Sequence, residues 1–149
     1  MKIILIILLA IFITGLMYFI YLGFKSHNGT APGLVDAKLT PCSMKPNCIC
    51  TEYPEQKLHY TNAINYDELD IDKITDVIQS TGGIISIHKD NYIAATYTST
   101  LFRYVDDFEL RIDTDNKLIH IRSASRVGHS DMGINLKRIE KFKTHLESF

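Results

Sequence analysis

Residues 3–24, IILIILLAIFITGLMYFIYLGF, run for 22 positions without a charged side chain, and nothing else in the chain limits its organisation as strongly. As a helix rising about 1.5 Å per residue, the run covers about 33 Å, enough to cross the hydrocarbon of a bilayer. A cleaved signal peptide is the rival reading, but its apolar core runs about 7–15 residues and ends at a small-x-small site. This run is longer and finishes in Tyr18, Phe19, Tyr21 and Phe24, residue types that gather at the membrane–water interface. No lipid-attachment box precedes any cysteine. The expected organisation is an uncleaved anchor over residues 1–25, a linker over 26–41 and an exported domain over 42–149. Lys2 and the amino terminus compete with Lys25 and Lys38 in setting orientation. A two-residue tail favours insertion with the domain on the extracytoplasmic, periplasmic side of the cell membrane.

Three cysteines, Cys42, Cys48 and Cys50, share one short segment. Cys42 and Cys48 can close a disulfide in an oxidising compartment, which agrees with an exported domain. Free thiols or a metal site are the alternatives, although Cys-x5-Cys-x-Cys fits no zinc template. No cofactor or metal is expected.

Charge is unevenly spread behind a net value of −1. Residues 52–115 carry 13 acidic and 5 basic side chains, whereas 117–143 carry 2 acidic and 7 basic. Complementary packing inside one domain accounts for such an asymmetry. Nucleic-acid binding is not expected, because a basic stripe interleaved with aromatics is missing.

Residues 25–41, with Gly29, Pro32, Gly33 and Pro41, read as a tether, and 42–65 read as irregular chain lying over the domain. A helix is expected across YDELDIDKITDVIQSTGG, capped by Asp67 or Asp70. Its apolar stripe is Ile71, Ile74, Val77 and Ile78, and Gly82-Gly83 ends it. Four strands follow near 84–88, 91–99, 102–112 and 117–124, with HKDN and DTDNK as outer turns. A closing helix is expected over 135–147, with Leu136, Ile139, Phe142, Leu146 and Phe149 inside a ~140° arc. Asn135 would cap it, and Ile134 would staple onto Ile139. An antiparallel sheet with one apolar face needs a cover, which these helices supply. The expected fold is therefore α+β: a two-layer, four-stranded antiparallel meander covered by two helices, in the order α-β-β-β-β-α, behind an N-terminal transmembrane helix.

The stretch RSASRVGHSDMGINLKR, residues 122–138, concentrates polar chemistry. A two-residue turn at Asp115-Asn116 sets Ile112 opposite Ile119 and Leu110 opposite Ile121 on the core face. The same register sets Glu109 opposite Arg122 on the other face, with Asp107 and Arg126 as diagonal neighbours and Arg103 and Arg111 nearby. A one-residue slip would break the apolar and the charged pairs together. Asp106 alternates with Phe102, Tyr104, Phe108 and Leu110, so it points to the core opposite Ser125. Buried there, it needs partners: Ser125, amides of the 127–134 loop, or an arginine. That loop, with Gly128, Ser130, Asp131 and Gly133 beside Arg126, has the makings of an anion site and equally of a capped turn. His129, Ser130 and Asp131 are adjacent and cannot form a catalytic relay. Gly-x-Ser-x-Gly, P-loop, dinucleotide and His-x-x-x-His motifs are missing.

PCSMKPNCIC, LFRYVDDFEL and IRSASRVGHSDMGINLKRIE, in this order and spacing, resemble the domain of unknown function 1499 family over about residues 40–147. Cys42, Pro46, Asn47 and Cys48 match its first block. Phe102, Asp106, Asp107, Arg122, Ser123, Ser125, Arg126, Gly128, Ser130, Asp131, Gly133, Asn135 and Arg138 match the later ones. The resemblance implies a bacterial, membrane-attached domain with no established activity. No histidine here falls on a matched position, which argues against a histidine proton shuttle. Two function classes follow. One is a non-catalytic module that binds an anionic ligand, a lipid headgroup or an envelope protein through Arg122, Ser125, Arg126, Ser130, Asp131, Asn135 and Arg138. In that reading Asp106, Asp107 and Glu109 form a structural polar network. The other is a small enzyme acting on a phosphorylated or lipid substrate through Asp106 or Asp107 with Arg122 and Arg126. Residues 3–24 make the membrane itself a partner in both.

Overall fold

The computed structural model describes residues 1–148; Phe149, expected to end the stripe of the closing helix, lies outside them. The elements are α1 (Lys2–His27), β1 (Leu34–Val35), β2 (Lys38–Leu39), β3 (Cys48–Cys50), β4 (Ile64–Asn65), α2 (Ile71–Ser80), β5 (Ile84–Lys89), β6 (Tyr92–Thr98), β7 (Val105–Asp113), β8 (Leu118–Ser125) and α3 (Ile134–Ser148). The fold is α+β, and β5 to β8 form the expected antiparallel meander. Two short strands that the sequence hides add to its β8 edge. β3 pairs with the end of β8, and β4 with its start. Strands of two or three residues among prolines and cysteines show no alternation to read.

The central hairpin has the expected register: Ile112 faces Ile119, Leu110 faces Ile121, Glu109 faces Arg122 and Asp106 faces Ser125. The turn differs. The ladder stops at Asp113–Leu118, and residues 114–117 form a four-residue connection with Lys117 in the left-handed region. The Asp113 carboxylate accepts the Asn116 backbone N–H at 3.0 Å, which closes the turn with a side chain. The strand expected from residue 102 begins at Val105, because Arg103 sits at φ 58° in a turn closed by Ser99 N–H donating to Tyr104 O. Arg103 therefore does not share a sheet face with Arg111.

On one face, α2 and α3 set Ile74, Val77, Ile78, Ile139 and Phe142 against Ile93, Phe108, Leu110, Ile119 and Ile121. Asp70 caps α2 by accepting the Lys73 backbone N–H at 2.9 Å. α3 is capped by Asp131, not by Asn135: Asp131 accepts the backbone N–H of Asn135 at 2.7 Å. Asn135 is wholly buried inside the first turn, and Ile134 stays half-exposed instead of stapling.

The other face is also covered, so the domain has a roof beyond its two expected layers. Leu39, Cys42, Cys48 and Cys50 pack on Tyr92, Ala94 and Ala124, with Ala31, Leu34 and Tyr53 at the edge. Residues 26–41, read as a linker, thus lie on the sheet, where β1 and β2 form a ribbon and Leu39 is fully buried. A Cys42–Cys48 disulfide, Cα–Cα 5.7 Å, ties this roof together, and Cys50 is a buried free thiol.

α1 also docks on the domain. A Cβ at Gly23 would stand 2.1 Å from the Phe102 carbonyl oxygen, so glycine permits the approach. Beside it Ser26 is buried, its hydroxyl accepting the Val105 N–H at 3.0 Å, and Phe19 stacks on Phe102 at 5.4 Å.

Candidate functional site

The polar stretch divides between the two faces of the sheet, because strand alternation sends neighbours to opposite sides. Under the roof, Glu109 is fully buried and accepts from Arg122 Nη1 (2.7 Å), the Tyr92 hydroxyl (2.7 Å) and the Gly33 backbone N–H (3.0 Å). Asp107 takes a forked pair from Arg126 through Nη2 (2.7 Å) and Nε (3.0 Å). The Nη1 of Arg126 donates to Ser26 O at 3.1 Å. Glu52 pairs with Arg111 and accepts the Leu39 N–H at 2.7 Å. Beside it, the His120 ring meets the Thr51 hydroxyl at 3.2 Å. Burial, then the Glu109 charge, pushes the Tyr92 phenol up. Burial pushes the Cys50 thiol up to about 11, leaving it protonated and a poor nucleophile near neutrality. Forked, desolvated arginine pairs of this kind hold a surface in one geometry.

On the helix face, Asp106 accepts from Arg138 Nη2 at 2.7 Å. Arg138 also donates to the Ser123 hydroxyl at 2.9 Å and lies over the Tyr97 ring, 4.8 Å from its centroid. Asn135 is the hub below. Its Nδ2 donates to Asn47 O and to Ser125 Oγ, both at 3.0 Å, and its Oδ1 accepts the Ser123 hydroxyl at 2.7 Å. Asn47, matched in the first block without an assigned role, proves to latch the final loop. Its Nδ2 donates to Gly128 O at 3.2 Å, and its O accepts the Ser125 N–H at 2.9 Å.

Above this network opens a cleft of about 720 Å³. Tyr18, Phe19 and Leu22 of α1 form one wall, and the 127–131 loop and Ile134 also line the cleft. Tyr97, Asp106, Ser125 and Arg138 make its floor, and Thr98 to Leu101 with Tyr104 make its end. Of the seven residues proposed from sequence as a ligand site, Ser125, Ser130, Asp131 and Arg138 line the cleft. Asn135 is buried, while Arg122 and Arg126 turn to the roofed face. The seven do not form one site. Of the carboxylates in the enzyme reading, Asp106 lies on the helix face, apart from Arg122 and Arg126, whereas Asp107 lies with both arginines under the roof; there Asp107 pairs with Arg126, and Arg122 pairs with Glu109.

Sequence reasoning missed the cleft's aromatic lining. Tyr97 and Tyr104 carried a signal as aromatics at the two ends of a turn. Tyr18 and Phe19 read only as interfacial aromatics, and Leu22 as one more apolar residue of the run, so nothing pointed them at the domain. Among the described residues, no group of three or more His, Cys, Asp or Glu side chains is gathered to hold a metal.

No curated protein matches the chain. The sequence model of a family described as protein of unknown function (DUF1499) matches residues 38–146. That span holds the whole meander, both flanking helices up to Leu146, the disulfide and every residue of the two polar networks except Ser26 and Gly33. By this match and the blocks that carry it, the chain belongs to the DUF1499 family.

Proposed function

We propose that this protein is a membrane-anchored, extracytoplasmic binding module that holds a lipid in the cleft between α1 and the domain. One observation carries the reading: the last turns of a helix long and apolar enough to cross a membrane form a wall of the cleft. A volume of about 720 Å³ falls in the range of small-molecule sites, about 300–1,000 Å³. Part of the lining is aromatic and aliphatic, as an acyl chain needs; the polar part offers the hydroxyls of Ser125 and, from the loop, Ser130, with a paired Asp106–Arg138. Arg122, Arg126 and Arg138 each already hold a carboxylate at 2.7 Å. That occupancy favours a neutral or zwitterionic headgroup over an anion bound by a free cation. The Cys42–Cys48 bond supports an oxidising compartment for the domain.

Native mass spectrometry of the full chain, released from detergent micelles, tests the reading. Wild type is expected to retain a lipid, and Val127→Trp, which fills the cleft, to lose it while keeping its fold by circular dichroism. If wild type carries no lipid and neither phosphatidylcholine nor phosphatidylglycerol raises its melting temperature, the lipid reading fails. A protein partner retained in its place would also overturn it.

A further inference from the structure

We infer that the β6–β7 loop, residues 99–104, is a second membrane contact that dips into the leaflet beside α1. The inference rests on the anchoring part of the proposal above, not on the cleft's occupant. The argument is one of depth. If the hydrocarbon begins near Ile3, about 30 Å of helix brings it to Leu22. Phe19 then lies about 4.5 Å inside that boundary, and Phe102 stacks on its ring at 5.4 Å. The Phe102 ring therefore reaches the depth of Phe19, while its backbone lies level with Gly23, one residue past that boundary, so the loop tip sits at the membrane surface and not clear of it. Its shape is held from both sides: Ser99 N–H donates to Tyr104 O at 2.8 Å, and the His27 ring meets Arg103 O at 2.9 Å.

The tip's chemistry fits that depth. Leu101 is 80 % exposed, an apolar side chain held against α1 with nothing of the protein covering it. Exposed Arg103 follows, its carbonyl oxygen against His27, two residues beyond exposed Lys25 on the helix, so both cations belong to the zone where phosphates lie. An apolar tip backed by cations is the pattern of an interfacial insertion. The leaflet that receives α1 is thus the occupant of this exposed patch, and it places the mouth of the cleft within reach of lipid.

The chain has no tryptophan, so one introduced tryptophan reports depth without background. The full chain carrying Leu101→Trp is placed in phosphatidylcholine vesicles, with or without bromine on the acyl chains. Emission is expected to shift to the blue and to fall at least about twofold in the brominated vesicles. Asp115→Trp, at the far end of the β7–β8 hairpin, is expected to emit as in water and to keep its intensity. Ile6→Trp within α1 is expected to be quenched. If Ile6→Trp is quenched while Leu101→Trp behaves like Asp115→Trp, the loop contact is refuted and the anchor stands. If Ile6→Trp is not quenched, the anchor fails and this inference with it. Thr100→Trp, on the same tip, gives the same decision should Leu101→Trp fail to fold.

Discussion

Glu109 shows what burial does to a pair that looks ordinary on paper. As an exposed cross-strand partner of Arg122 it would contribute about 0.2–1 kcal/mol. Wholly enclosed, with three donors converging on it, it is a different interaction. Glu109→Gln removes the charge that neutralises a buried guanidinium, and the expected loss is about 3–5 kcal/mol in denaturant unfolding. Exchanging the two residues, Glu109→Arg with Arg122→Glu, is expected to restore only part. The Gly33 N–H and the Tyr92 hydroxyl would still lack their acceptor. His120 gives a pH signature. Burial holds its pKa below the ordinary 6.5, against the opposing pull of Glu52, so the unfolded chain takes up the proton first. Stability is then full above about pH 6.5 and falls as the pH drops towards the folded value. Melting temperatures measured from pH 7.5 to 5 should decline, and His120→Gln should decline less.

Among the elements, the roof depends most on a covalent tie. By chain entropy alone the Cys42–Cys48 loop contributes about 2–3 kcal/mol. Cys42→Ser with Cys48→Ser is expected to lower stability by that amount, and reductant should do the same to wild type and nothing to the variant. The roof also marks where sequence reading stops. The hairpin β7–β8 was legible because apolar residues and opposite charges alternate together, so one register satisfies both. The roof is irregular chain around Pro32, Pro41, Pro46 and Pro54, held by backbone donors such as Gly33 and Leu39 reaching side chains across the sheet. Backbone amides are the same in every residue but proline and leave no mark in a sequence. The cap of α3 was misassigned for a related reason. Asp131 and Asn135 are both good cap residues, and what separates them is that Asn135 is needed inward, against Ser123 and Asn47. Asp106 was legible as a buried carboxylate that needs a partner, and Arg138 supplies it.

The family match starts at residue 38, but the folded unit starts earlier. Ser26 O holds Arg126, and the Gly33 N–H holds Glu109. A chain begun at residue 38 is therefore expected to be about 3–6 kcal/mol less stable than one begun at residue 26, since two hydrogen bonds to charged groups, at about 1.5–3 kcal/mol each, go with the segment. Urea unfolding of the two truncated chains would decide this; equal midpoints would mean the segment adds nothing. The same continuity governs the junction at Gly23. A flexible tether would let a domain spin and tolerate extra residues, but here the helix is clamped at Gly23 and Ser26. The part of α1 upstream of the clamp is thus fixed in azimuth as well as in height. One residue inserted between Leu22 and Gly23 would turn everything upstream by about 100°, carrying Tyr18, Phe19 and Leu22 out of the cleft and bringing a different stripe in. The junction works like a keyed shaft, and what α1 can gain or lose in sequence there is set by helical phase, not by hydrophobicity.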